Sequence, residues 1–449
     1  MARDENLALL TDLYELTMAQ SYFQSREVAP ASFSLFIRNF PPDRGYFVAA
    51  GLQDVLKFLE QFRFDAAAID YLRSQRMFTD EFLDFLKALR FTGDVWALPE
   101  GSLFFTEEPV LEITAPIIEA QIVETFIINQ INLQSLIATK AARCTHAAGG
   151  RPIVDFSLRR THGIDAGMKV ARSSYIAGFT GTSNVRAGKR YGIPIVGTMA
   201  HSFVSSFENE MDAFRAFVAS FPNNSVLLID TYDTLEAAHK AVEVAREMAA
   251  RGERLQGVRI DSGDLAKLAV EVRQILDAAG LTQVKIIGSG GLDEHDLAQF
   301  SAAAVPYDSY GVGTKMGVSA DAPWFDMAYK LVEYADRSVL KLSTGKASWP
   351  GKKQIFRYYD GAGQLERDLI ALRDETVPQG EPLLKHVMAS GTTLGSHPGL
   401  EDIRAGFLRD FKRLPDEVKA SKEPATLPVA FSPALTALRE AIERNFSGR

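Results

Sequence analysis

The centre of the chain alternates between two hydrophobic periods. Short apolar runs recur at Pro152–Phe156, Tyr175–Thr180, Pro194–Thr198, Val226–Asp230, Gly257–Asp261, Val284–Gly288 and Tyr310–Gly313, and several end in a polar or glycine-rich tip. Between many of them, apolar residues fall at helical spacing. Ile164, Met168, Ala171 and Tyr175 form one such stripe, and Leu235, Ala238, Val242 and Ala245 another. Leu265, Leu268, Val272, Ile275 and Leu276 form a third, closed by Gly280. Strands alternating with helices predict βα units with parallel pairing. Seven runs in succession favour a (β/α) barrel over an open doubly wound sheet.

The flanks follow a different pattern. Residues 1–130 mix helical stretches (Leu13–Phe23, Leu52–Phe62) with strand-like ones (Ser32–Phe40, Asp94–Ala97, Val110–Ala115), which predicts an α+β domain. The barrel is expected over 131–340. From 341 to 449 the pattern is irregular and ends in two amphipathic helices, one with Leu400, Ile403, Phe407 and Phe411, the other with Leu435, Leu438 and Ile442. Pro415–Pro433 is the loosest stretch.

Charge narrows the partners. There are 49 Lys+Arg against 57 Asp+Glu in 449 residues, a net charge of −8, so nucleic acid is not expected as a partner. Cys144 is the single cysteine, which excludes an intramolecular disulfide and a cysteine-rich metal site and fits a reducing compartment. The N-terminal residues lack the apolar core of a secretory signal, and no run of about 18 apolar residues occurs. A cytoplasmic, membrane-free protein is the expectation.

In a parallel barrel, chemistry gathers at the C-terminal ends of the strands. Two tips there look like phosphate cradles: Gly288-Ser289-Gly290-Gly291, with Asp293 placed to cap the next helix, and Gly311-Val312-Gly313-Thr314. Glycines let backbone N–H groups approach phosphate oxygens, although glycines also simply make tight turns. Asp230 and Asp261 each end an apolar run and suit Mg²⁺, ribose hydroxyls or a helix cap. The tip Asp230–Asp233 lacks the adjacent acidic pair and Thr-Gly of the common phosphoribosyl-diphosphate loop, so that match is rejected. Arg159, Arg160 and Arg259 offer planar forks for carboxylate or phosphate, or surface ion pairs. Lys341, Lys346, Lys352, Lys353 and Arg357 form an acid-free stretch that suggests an anion such as ATP, or a solvated turn. Among seven histidines, His201 stands just past a strand end, as an acid/base, a phosphate acceptor or a packed core residue. His162, beside Gly163, is a loop histidine near the tips, while His239 and His295 fall on helices. Zinc-ligand spacing and a G-x-S-x-G nucleophile motif are both missing.

Several of these stretches together resemble the nicotinate phosphoribosyltransferase family. The residues that carry the resemblance are Leu9-Leu10-Thr11-Asp12-Leu13-Tyr14, Leu158-Arg159-Arg160, Gly197-Thr198-Met199-Ala200-His201-Ser202, Arg259-Ile260-Asp261-Ser262-Gly263-Asp264 and Gly311-Val312-Gly313-Thr314. The resemblance implies an irregular α/β barrel with an N-terminal α+β domain completed by C-terminal chain. It also implies a homodimer with shared active sites. By that analogy Tyr14 from the partner subunit and Phe156 sandwich the pyridine ring, Arg159 pairs with the nicotinate carboxylate, and Thr198 lies at the nicotinate site. Arg259 and Asp261 hold the ribose and phosphate region, with Asp230 near Mg²⁺. Ser289, Gly290, Gly291, Gly311, Gly313 and Thr314 cradle the 5′-phosphate, and His201 is phosphorylated by ATP as co-substrate.

Related nicotinamide enzymes carry an aspartate where this chain has Ser183. A neutral Ser183 near Arg159 favours an acid over an amide. The alternatives are a nicotinamide or quinolinate phosphoribosyltransferase, and a non-catalytic phosphoribosyl-ligand binder on the same barrel.

Overall fold

A computed structural model describes residues 7–342 and 348–447. The chain forms two compact units: Ile137–Pro323, and a second assembled from Met1–Leu136 with Trp324–Arg449.

The discontinuous unit is built on a seven-stranded antiparallel sheet. Its order is Arg337–Ser338, Met327–Tyr334, Pro30–Ile37, Leu111–Pro116, Asp94–Ala97, Lys385–Ala389 and Thr392–Thr393. Met327–Tyr334 falls within the span 131–340 read from sequence as barrel, yet it pairs antiparallel with Pro30–Ile37. The stacked rings of Phe33 and Tyr329, 4.8 Å apart, show why: both strands place aromatics on one buried face. The helix Leu52–Gln61 buries Val55, Leu56 and Leu59 against this core, and Leu13–Ser25 buries Leu16 and Ala19.

A smaller sheet (Glu381–Pro382, Lys353–Tyr359, Leu365–Leu372, Val429–Phe431) was hidden in the sequence. Its charges are buried in pairs, so the period-2 alternation of strands is masked. Arg357 Nη2 donates to Asp368 Oδ2 at 2.6 Å, with both side chains under 5% exposed. Lys353 Nζ lies 3.2 Å from Glu112 Oε1, and Lys352 pairs with Glu333 at 2.7 Å. These three cations are therefore committed to carboxylates, which corrects the reading of 341–357 as an anion site. Lys346 lies outside the described residues.

The continuous unit contains six parallel strands: Ile153–Asp155, Gly181–Thr182, Val226–Leu228, Gly257–Ile260, Lys285–Gly288 and Ser309–Val312. In spatial order the second neighbours the first, the first neighbours the sixth, and the fifth, fourth and third follow. An isolated parallel bridge joins Thr182 to Ile195 beyond the second strand. The pairing of last strand to first (Tyr310 with Ile153) makes the order cyclic, which is the barrel and not the doubly wound sheet. It is an irregular barrel. No ladder among the described residues joins the Ile195 segment to Val226–Leu228. Side chains span the gap instead: Asn224 Nδ2 donates to Gly197 O at 3.3 Å and Arg259 Nη2 to Met199 O at 3.0 Å.

Two expected strands change. Pro194–Thr198 contributes only the bridge at Ile195. Tyr175–Thr180 is the end of the helix Ile164–Ile176 and the turn after it, where Gly178 takes φ 105°; the strand starts at Gly181. Two of the barrel helices are capped by aspartates. Asp233 Oδ1 accepts from Leu235 N and Glu236 N, and Asp264 Oδ1 accepts from Lys267 N.

Beneath this barrel, Glu294 is fully buried between Lys140 (2.6 Å) and Arg143 (2.8 Å). Burial works to raise its carboxyl, but the two cations outweigh it and hold Glu294 below the ordinary range. Glu294→Ala leaves two buried cations without this counter-charge and should cost about 3–5 kcal/mol. A folded-state value below the unfolded one stabilises fully above the unfolded pKa and fades as pH falls through the folded one. Chemical denaturation should therefore show a lower midpoint at neutral pH in the variant. Below about pH 4.3 the gap to wild type should narrow.

Candidate active site

The strand ends of the barrel open into one cavity of about 690 Å³. Parallel register sets the tips level: Gly288 is opposite Ile260 and Tyr310, and Asp155 is opposite Val312 and Thr182. Whatever follows each strand therefore reaches the same mouth.

Phe156, Arg159 and Arg160 follow the first strand, and all three line the cavity. Arg159 and Arg160 are exposed, and Phe156 is half-buried. Behind them, Asp155 is 1% exposed and accepts from Ser157 N (2.8 Å), Ser157 Oγ (2.5 Å) and Thr182 Oγ1 (2.7 Å). Burial raises the Asp155 carboxyl, and these donors work to lower it. Asp155 thus ties the first tip to the second, where Ser183 lines the cavity. The sequence reading quoted Asp155 only as part of a tip. Its signal was an acid directly before an aromatic at a strand end.

His201 opens the short helix His201–Ser205, and Thr198, Met199 and Ser202 line the cavity beside it. His201 Nδ1 lies 3.1 Å from Thr231 Oγ1, and Nε2 lies 4.0 Å from both Asp230 Oδ2 and Asp261 Oδ2. The imidazole is 44% exposed and is no packed core residue. Ser262 Oγ donates to Asp230 Oδ2 at 2.6 Å, while Asp230 Oδ1 is buried without a hydrogen-bond partner. Asp230 itself sits behind the lining, and Asp261 is on it.

Arg259 lines the cavity with its guanidinium 5.9 Å from the Phe156 ring centroid. Burial lowers its pKa, opposed by Asp261 and Asp230. Its Nε has no partner. An unpaired buried donor and an unpaired buried acceptor in one site are groups waiting for a ligand.

The two glycine loops complete the wall. Ser289, Gly290, Gly291, Gly311, Gly313 and Thr314 all line the cavity. Ser289 Oγ donates to Asp261 Oδ1 at 2.5 Å, and Ser289 N to Ile260 O at 2.9 Å. Gly290 takes φ +96°, and a Cβ there would sit 1.7 Å from Asp261 O. A Cβ on Gly311 would meet the Phe156 ring at 2.5 Å. The following helix offers less than its position suggested. Asp293 already accepts from His295 N and Asp296 N, so these two helix donors are taken.

Tyr14 is apart from this set. It lies on the helix Leu13–Ser25 of the other unit, 48% exposed, and does not line the cavity. Burial and the neighbouring Glu124, Glu15 and Asp12 raise its hydroxyl pKa. His162, in the turn beside Gly163, does not line the cavity either.

Comparisons agree along the length of the chain. Residues 9–132 match the nicotinate phosphoribosyltransferase N-terminal domain, 152–335 the nicotinate phosphoribosyltransferase family, and 379–439 its C-terminal domain. A nicotinate phosphoribosyltransferase of Mycobacterium tuberculosis is 49% identical, with 95% of this chain and 91% of that protein covered. One from Bacillus subtilis is 36% identical, covering 96% and 94%. The crystal structure of human nicotinic acid phosphoribosyltransferase superposes with TM-score 0.87 at 30% identity, covering 96% and 99%. A nicotinate-nucleotide pyrophosphorylase from Pyrococcus furiosus gives 0.75 at 25%, covering 92% and 97%.

The Gly290 contact sets a test of the phosphate cradle. Gly290→Ala combines a left-handed backbone with a clash against a carbonyl oxygen, so the loop must move. Calorimetry should find ribose 5-phosphate bound at least about tenfold more weakly. Unaltered binding would remove this loop from the anion site.

Proposed function

The chain belongs to the nicotinate phosphoribosyltransferase family, and we propose from that membership a division of labour within its cavity. The reaction is phosphoribosyl transfer to nicotinate, a step of NAD salvage. The observation that carries the finer reading is that Arg159, His201 and Thr314, far apart in sequence, line one cavity.

In the proposed reaction the pyridine nitrogen of nicotinate attacks C1 of phosphoribosyl diphosphate. The C1–O bond breaks, and pyrophosphate leaves with its electrons. Phe156 packs against the ring, and Tyr14 of a second copy of the chain covers its other face in a homodimer. Arg159 pairs with the carboxylate as a charge-assisted fork. The amides of Gly290, Gly291 and Gly313, with the hydroxyls of Ser289 and Thr314, hold the 5′-phosphate. Arg259, through its unpartnered Nε, meets ribose or phosphate oxygens, and Asp261 orients the sugar. Positive charge grows at C1 as negative charge grows on the leaving group. Fixed dipoles and arginines that favour this separation lower the barrier.

Mg²⁺ fits Asp230 and Asp261, because Asp230 Oδ1 is a buried acceptor in need of a partner. No group of three or more His, Cys, Asp or Glu gathers among the described residues, so substrate oxygens and water would complete the coordination. Bound there, Mg²⁺ would offset charge on the departing pyrophosphate.

ATP coupling is assigned to His201. Nε2 lies 4.0 Å from the Asp230 and Asp261 carboxylates, and Nδ1, near the Thr231 hydroxyl, is the phosphoryl acceptor in this reading. An Nδ1–P bond forms, the bond from Pγ to the β–γ bridging oxygen breaks, and ADP leaves. Water later cleaves the phosphohistidine. The spent energy tightens substrate binding and draws the transfer forward. The compartment in this reading is the cytoplasm; no described helix is long and apolar enough to cross a membrane.

The reading is tested with purified protein, nicotinate, phosphoribosyl diphosphate and Mg²⁺, with and without ATP. Mononucleotide should form, and ATP should raise its yield. His201→Ala should abolish the ATP stimulation and keep slow basal transfer. Equal stimulation in that variant would remove His201 from the role.

Selectivity gives a second test. Ser183→Asp places a carboxylate on the cavity wall that carries Arg159. It should lower kcat/KM for nicotinate by about 10²-fold, of the order of a close charge pair. Nicotinamide should lose less. Unchanged nicotinate kinetics would overturn the selectivity argument, and a wild-type preference for nicotinamide or quinolinate would overturn the substrate.

A further inference from the structure

The loop Ser289–Gly291 contains two consecutive residues with left-handed backbone, Gly290 at φ +96° and Gly291 at φ +71°. Such a pair has no preferred geometry of its own, since glycine visits left- and right-handed regions with similar ease. Something outside it must fix its shape. At its start, Ser289 is tied to Ile260 O and Asp261 Oδ1. At its far side stands Asp293. That carboxylate does two things. Oδ1 caps the helix Glu294–Ala302, and Oδ2 accepts from Lys315 Nζ at 2.7 Å.

Lys315 follows Thr314 directly, so it belongs to the second glycine loop. Its ammonium also lies 3.5 Å from Asp296 Oδ2, which in turn accepts from Asp293 N at 3.0 Å. One side chain thus links the residues that end one loop to the residue that ends the other. The helix between them is pinned from behind by Glu294. Asp293 is 15% exposed and Lys315 42%, so the pair is partly shielded and not a fully solvated surface contact.

We propose that Lys315 is a positioning residue for phosphoribosyl binding: its ion pair with Asp293 clamps the two glycine loops at the spacing that one 5′-phosphate requires. The proposal rests on the phosphate reading of these loops and extends it to a residue outside the cavity lining. A ligand phosphate needs amides from both loops at once. A shift of one loop against the other weakens every such bond together.

The test is a cycle of Lys315→Met, Asp293→Asn and the double variant, with Lys315→Arg as the conservative control. Asparagine remains a good helix cap, so the charge is removed without the cap. Ribose 5-phosphate is titrated by calorimetry, and steady-state KM and kcat are measured for phosphoribosyl diphosphate. Each single variant should weaken ribose 5-phosphate binding and raise KM by roughly threefold to tenfold, with kcat nearly constant. The double variant should be no worse than either single one, and Lys315→Arg should bind like wild type. Wild-type binding by Lys315→Met overturns the clamp. So does a Lys315→Met defect that Asp293→Asn does not share, because the ammonium would then act on the ligand directly. Wild-type protein that shows this binding pattern without nicotinate-dependent pyrophosphate release would overturn the reaction and leave the clamp standing.

Discussion

Parallel pairing is the constraint from which the site follows. In a parallel ladder all strands point one way, so every chain leaves the sheet at the same edge. Here the strands are only two to four residues long, and the register is tight: Ile260, Gly288 and Tyr310 lie side by side, as do Thr182, Asp155 and Val312. The next residues are Asp261, Ser289, Phe156 and Ser183. No long-range contact between side chains is needed to bring them together. Slipping one strand by a single residue would turn its inward side chains outward. The run Val226–Ile229 resists that by being apolar and buried along its whole length.

Electrostatics then separates scaffold from site. The chain as a whole is acidic, yet the cavity is lined by Arg159, Arg160 and Arg259 against one carboxylate, Asp261. Several buried cations elsewhere are committed to carboxylates. Lys140 and Arg143 converge on Glu294, Arg357 is paired with Asp368, and Lys353 and Arg373 share Glu112. A buried pair with good geometry adds little net stability but is costly to break. In the cavity, Arg259 leaves its Nε without a hydrogen-bond partner, and Arg159 and Arg160 are exposed.

Legibility followed locality. The strand tips could be read because each is a short apolar run ending in a polar residue, and that pattern survives in sequence. The helix Leu13–Ser25 and the strand Asp94–Ala97 emerged for the same reason. What stayed hidden depended on partners distant in the chain. The stretch 341–357 looked like an anion site or a solvated turn because its carboxylate partners lie outside it, Glu112 far away in sequence and Asp368 on the neighbouring strand. Tyr175–Thr180 looked like a strand because a buried helix end and a buried strand share composition, and only Gly178 marks the break. The role of Asp155 in joining two tips was invisible because its bond from Thr182 exists only once two strands pair. Tyr14 carries a motif but no geometry within one chain that places it at the cavity.

Asp155 also bears on how a cavity lined by three arginines accommodates an acid one residue behind Phe156. An open carboxylate there would repel an anionic ring substituent, at several kcal/mol for a close pair in a low-dielectric pocket. Three donors converge on it: the Ser157 amide, the Ser157 hydroxyl and the Thr182 hydroxyl. Both of its oxygens face away from solvent into these bonds, since the residue is only 1% exposed. Its own backbone oxygen receives the Ser183 amide at 2.8 Å. The charge is therefore spent on joining two strand tips. Arg159 remains exposed at the mouth, and Ser183 stays neutral beside it. The proposed preference for an acid over an amide rests on this placement: the buried acid serves the scaffold, and the arginines line the cavity.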